Sequence, residues 1–167
     1  MLERIWNGWR ASYVGSAGET VEGATGSVFT QILNSGLDDT ETNIVHRGEH
    51  CFALLNAFPY GTGHVLVLPY REVAALESLT PEETAELWPM VTDTVRAIKR
   101  AYSPEGINVG INLGRPAGGS VSEHLHVHVV PRWTGDANFM TAVANTRTLP
   151  EALVDTAAKI RAAWPGQ

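Results

Sequence analysis

An α+β fold is what this sequence predicts: an antiparallel sheet of about five strands with one long helix and one C-terminal helix. Three observations carry the prediction. Short β-type runs between residues 43 and 69 are separated by segments too brief for a parallel crossover. One long, capped, amphipathic segment follows at 80–102. Two further β-type runs, 107–113 and 124–130, come after it, so a helix is inserted late instead of alternating with every strand.

The elements follow in chain order. Residues 1–14 carry Ile5, Trp6, Trp9, Tyr13 and Val14 at a partly helical spacing, which suggests an arm docked on the domain or on a neighbour. The run from Gly15 to Gly26 is rich in small and polar residues and reads as a linker, so 1–27 is set apart as arm and linker and 28–167 as one domain. A short helix fits 28–33. Strands fit 43–47, 51–58 and 64–69, with Gly48-Glu49 as the first turn and Pro59-Tyr-Gly-Thr-Gly63 inside a wider loop. Thr80-Pro81-Glu82-Glu83 places a cap, an N1 proline and a capping-box glutamate in order. Leu87, Trp88, Val91, Val95, Ile98 and Tyr102 then form one apolar face, which is core packing. The Ser103-Pro104-Glu105-Gly106 stretch ends that helix. A last helix is expected to begin at Pro150, with Thr148 and Glu151 repeating the cap pattern.

Composition narrows the function classes. At 167 residues and 44% hydrophobic, the chain holds enough apolar material for a real core. A formal charge of -6 argues against a nucleic-acid backbone as main partner, while leaving room for a small anionic substrate beside a local donor loop. The single cysteine, Cys51, excludes an intrachain disulfide and sits among Phe52, Ala53 and Leu54 as a core residue. No 18-residue apolar run and no signal-peptide pattern are present, so the expectation is a soluble, cytoplasmic protein with no membrane partner.

The chemistry is concentrated in Glu123-His-Leu-His-Val-His-Val-Val-Pro131. His124, His126 and His128 alternate with Leu125, Val127 and Val129, so on a strand the aliphatic residues enter a core and three imidazoles share the opposite face roughly 6.6 Å apart. Half of the six histidines lie within five residues, which an ordinary polar strand face does not explain. Imidazole serves both as a metal ligand and as a nucleophile. Upstream, Asn112-Leu-Gly-Arg-Pro-Ala-Gly-Gly-Ser120 offers backbone N–H groups that can approach an anion, with side-chain donors from Asn112 and Ser120. That loop suits a phosphoanhydride better than a metal, and no thiolate or carboxylate cluster accompanies the row; no metal and no cofactor are expected.

His-Leu-His-Val-His-Val-Val resembles the signature of the histidine triad (HIT) superfamily of nucleotide hydrolases and transferases. The stretch Asn56-Ala-Phe-Pro-Tyr-Gly-Thr-Gly-His64-Val-Leu-Val-Leu-Pro69 is similar to the superfamily's upstream strand pair, and the likeness covers most of residues 28–140. Gly118-Gly-Ser120, the run from Glu123 to Trp133 and Gly135-Asp-Ala-Asn-Phe139 most resemble the bacterial, actinobacterial-type diadenosine tetraphosphate phosphorylases. The resemblance implies that His126 attacks the α-phosphorus and becomes adenylylated, that His124 and His64 form a relay behind it, and that His128, Asn112, Gly119 and Ser120 hold phosphate oxygens. It implies Asn56 at the ribose and Trp133 near the polyphosphate or second nucleoside, with Arg132 and Asp136 as helpers. Its implied partners are adenine nucleotides and inorganic phosphate, and a second copy of the chain in a homodimer or homotetramer. The branch with water as acceptor, hydrolysing dinucleoside polyphosphates or nucleoside phosphoramidates, stays open. Ser120 stands where hydrolase branches carry glutamine. Many bacterial members have a Cys-x-x-Cys zinc pair where this chain has Ser27-Val-Phe-Thr30, so a structural zinc is not expected; His46 and His50 read as surface or turn residues.

Overall fold

The computed structural model describes residues 25–118, 121–136 and 149–166. Five strands, β1 (Ile44–Arg47), β2 (Cys51–Leu55), β3 (Val65–Pro69), β4 (Gly106–Ile111) and β5 (Val127–Arg132), form one antiparallel sheet in the order β1-β2-β3-β5-β4. The described helices are α1 (Val28–Leu33), α2 (Asp39–Thr42), α3 (Pro81–Tyr102) and α4 (Leu153–Ala162), with short 3-10 turns at Leu76–Ser78 and Arg115–Ala117. Among the described residues no helix is long and apolar enough to cross a membrane.

The central strands β2 and β3 are covered on both faces, which is why they read as unbroken apolar runs. Cys51, Ala53, Leu55, Val65, Val67 and Val127 face a core shared with α3 and α4. Phe52, Leu54, Leu66 and Leu68 face the other way, against Phe29 of α1. Alternation along each strand thus sorts side chains between two buried compartments. Cys51 lies in the larger one, fully buried, and burial with Glu86 and Glu83 nearby pushes its thiol up to about 12. The core reading of this cysteine holds.

Several expected boundaries shift, each for a physical reason. Strand β2 stops at Leu55 because Asn56 turns the chain: its Oδ1 accepts from Phe58 N at 2.8 Å, and Asn56 N donates to His64 O at 3.0 Å. Strand β5 begins at Val127, not 124, since β3 pairs with it only from Val67↔Val127 onward. Residues 124–126 are held instead by Leu125 N donating to Val73 O. Helix α3 carries its full capping box, Thr80 Oγ1 accepting from Glu83 N and Glu83 Oε2 accepting from Thr80 N at 2.8 Å. Its buried stripe is Leu87, Met90, Val91, Thr94, Ala97 and Ile98, while Trp88 is 45% exposed, one residue round the helix from Leu87. Helix α4 starts at Leu153 without a side-chain cap. Glu151 accepts from Tyr102 Oη and, within α4, from Lys159 Nζ; Thr148 and residues 1–24 of the arm and linker lie outside the described residues.

Candidate active site

One row of cross-strand neighbours builds the floor of the site. Leu54 faces Leu66, Leu66 faces His128, and His128 faces Gly110 across four adjacent strands. The row passes from aliphatic to imidazole, and it floors a cavity of about 420 Å3. Val28, Phe29, Ile32, Leu54, Leu66 and Val121 give it an apolar lining. Asn56, His126 and His128 add polar groups to the wall, which Phe58, Tyr60 and Gly118 also line. Such a lining fits a ligand with a flat apolar part and an anionic part.

The four histidines fall into two linked pairs, and backbone partners fix where their protons sit. Tyr60 N, which only donates, reaches His64 Nδ1 at 3.0 Å. The His64 proton therefore lies on Nε2 and is donated to His128 Nδ1 at 2.9 Å. That leaves the His128 proton on Nε2, a buried atom with no hydrogen-bond partner among the described residues. An unpaired buried donor on a cavity wall is a site waiting for an acceptor. Gly63, at φ +78, permits the turn into His64; a Cβ there would lie 3.1 Å from Pro131.

His126 is set the opposite way. Its Nδ1 lies 2.7 Å from the carbonyl oxygen of His124, which only accepts. The proton is thus on Nδ1, and Nε2 keeps its lone pair. His124 donates through Nε2 to Pro69 O at 2.9 Å and accepts at Nδ1 from Ser27 Oγ at 2.7 Å. Phe29 packs on both rings, at 5.5 Å from His124 and 5.3 Å from His126. Burial lowers the pKa of His124 and His126, and burial with His126 alongside lowers His128 to about 4. All three imidazoles are neutral at neutral pH.

The structure brings Asn56, His126 and His128 to one cavity, with His124 directly behind His126. It places His64 behind His128, whereas the resemblance implied a relay behind His126. Asn112 lies in the loop beside Gly118, its amide nitrogen 3.7 Å from where a Gly118 Cβ would stand. Gly119 and Ser120 lie outside the described residues. Trp133 is not on the cavity wall; it packs edge-on against Tyr102, and its N–H is capped by Asp136, which also pairs with Arg132. His46 stacks on Trp164 at 4.4 Å, away from the cavity. Sequence reasoning missed Ser27, Phe29, Tyr60 and Glu72 as neighbours of the imidazoles. Ser27 was open to reading as a helix cap, but its partner His124 is 97 residues away.

Comparison with known proteins places this geometry in a family. The HIT domain model matches residues 38–135. An AP-4-A phosphorylase of Mycobacterium tuberculosis is 43% identical over 170 residues, covering 99% of this chain and 86% of that protein. A bis(5'-nucleosyl)-tetraphosphatase [asymmetrical] of Schizosaccharomyces pombe is 37% identical over 95 residues, 57% of this chain and 52% of that one. Among solved structures, a Hit-like protein from Bartonella henselae superposes with a TM-score of 0.68 at 26% identity, covering 84% of this chain and 97% of that one. The chain belongs to the HIT domain family.

Proposed function

We propose that this HIT-domain chain is a nucleotidyltransferase that cleaves diadenosine tetraphosphate with inorganic phosphate, giving ATP and ADP through an adenylyl-histidine at His126. The observation that carries the reading is the proton arrangement: a neutral His126 with a free Nε2 lone pair beside a neutral His128 with an unpaired Nε2–H. The 43% identity to an AP-4-A phosphorylase over nearly the whole chain supports the choice of substrate and acceptor.

In the first step His126 Nε2 attacks the α-phosphorus, the bond to the bridging oxygen breaks, and ATP leaves. The ring becomes cationic as the P–N bond forms, so its Nδ1–H bond to the His124 carbonyl strengthens where charge develops. His128 Nε2–H donates to a phosphate oxygen, its direction fixed by His64. Asn112, Gly119 and Ser120 supply further donors, and Asn56 faces the ribose. The adenine packs on the apolar lining beside Val28, Phe29 and Ile32. In the second step phosphate attacks the adenylyl group, ADP forms, and His126 regains its lone pair. Positioning and fixed donors supply the catalysis.

The tetraphosphatase relative favours a second reading, in which water replaces phosphate and AMP replaces ADP. Incubation with diadenosine tetraphosphate separates them: the phosphorylase reading expects ADP only when phosphate is present, and steady AMP release without phosphate sinks it. We take residues 28–167 as one HIT-like domain in the cytoplasm, pairing through the exposed edge strand β4, where Val109 is 47% exposed. A monomer by sedimentation at micromolar concentration contradicts the pairing.

A further inference from the structure

The nucleophile's ring is aimed by a backbone carbonyl that no strand ladder holds. Residues 124–126 precede β5, so the His124 carbonyl depends on Leu125 N bonding to Val73 O and on the His124 side chain. That side chain is clamped at both nitrogens, by Pro69 O and by Ser27 Oγ. We infer that Ser27, braced by Glu72, is a positioning residue for the proposed nucleophile, locking His124 so that its carbonyl holds the ring of His126.

The brace is specific. Glu72 Oε2 accepts from Ser27 N at 2.6 Å and from Thr30 Oγ1 at 2.7 Å. The Thr30 hydroxyl spends its one proton on Glu72, and the Ser27 hydroxyl spends its own on His124, whose Nδ1 carries none. Thr30 N also donates to Ser27 Oγ at 3.2 Å, so Ser27 is at once the cap of α1 and the partner of His124. Ser27 is 2% exposed and His124 0%, so water does not reach this bond to replace it. Gly26 admits the carboxylate: at φ +92, a Cβ there would come 2.9 Å from Glu72 Oε2. Helix α1 also lines the cavity through Val28, Phe29 and Ile32. One turn of chain therefore joins the nucleoside pocket to the orientation of His126.

This inference rests on the reading of His126 as nucleophile, and the test separates the two. The full-length chain and its variants Ser27→Ala, Glu72→Ala and Glu72→Gln are compared by rapid-quench measurement of adenylylation from diadenosine tetraphosphate, by KM, and by NMR of the His126 ring Nδ1–H. Ser27→Ala and Glu72→Ala are expected to slow adenylylation about tenfold or more, with KM within about twofold, because a misaimed nucleophile loses rate and not affinity. The His126 Nδ1–H resonance, sharp in the parent chain, should broaden or vanish in both. Glu72→Gln keeps an oxygen that accepts both bonds and should restore rate and resonance. Variants that lose only thermal stability, with parental rate per folded molecule and an unchanged resonance, make Ser27 a mere helix cap and overturn the inference. Glu72 is exposed, so Glu72→Ala decides the matter if Ser27→Ala does not fold. Should the parent chain form no adenylyl-His126, the proposed function falls; the resonance then decides the clamp alone, its loss in the variants upholding it and its persistence refuting it.

Discussion

Replacing His64 by leucine tests the proton chain at its least replaceable link. His64 is 1% exposed and touches the site through its Nε2–H bond to His128 Nδ1 at 2.9 Å. Leucine is of similar bulk, so the packing against Tyr60 and His128 survives while the donor disappears. His128 Nδ1 is then a buried acceptor with no partner, which costs about 1–3 kcal/mol. Its proton regains the option of sitting on Nδ1, facing away from the cavity, as an imidazole does once its orienting partner is lost. Converted at about 1.36 kcal/mol per decade, the withdrawn stabilisation corresponds to an adenylylation rate about 5- to 150-fold lower. The assay is single-turnover adenylylation by rapid quench, normalised to the folded fraction from a thermal melt. A fully folded His64→Leu protein reacting within about twofold of the parent chain would refute the claim that His64 sets the tautomer of His128.

Three further outcomes follow from the site. Burial lowers His126, so the acid limb of kcat/KM, which requires its neutral ring, should lie below the ordinary imidazole value of about 6.5; a limb above that value contradicts the buried nucleophile. The same depression means that the unfolded chain binds protons that folded His124, His126 and His128 refuse. Folding stability is then complete above about pH 6.5 and falls as pH drops towards about 4, which urea titrations across that window will read. Val28, on the cavity wall and 40% exposed, has room to become tryptophan without disturbing the core. Val28→Trp should raise KM about tenfold or more while the His126 resonance stays unchanged, and unaltered KM places the nucleoside elsewhere.

Local rules made much of this fold legible. The capping box at Thr80 and Glu83 is where the spacing put it, and Leu87, Val91 and Ile98 of the expected apolar face of α3 are buried. The histidine row pointed to the candidate site because no ordinary strand face holds three imidazoles in five positions. Three things were not legible. Strand β5 was expected to hold all three histidines, yet only His128 lies within it, because pairing with β3 ends at Val127 and register depends on a partner 60 residues away. The Trp88 error is one of phase: it neighbours Leu87 in sequence but points some 100° away around the helix. The roles of Ser27 and Glu72 are tertiary throughout. An N-cap serine and an exposed glutamate are common features, and nothing local distinguishes a cap that also grips a buried imidazole.

The most direct test is mass spectrometry of the protein acid- or base-quenched during turnover of diadenosine tetraphosphate. The account predicts a single AMP adduct, mapped to His126, absent from His126→Ala and lost on chase with inorganic phosphate as ADP appears. Full turnover with no adduct at any time, or an adduct mapped to His124, His128 or His64, contradicts it.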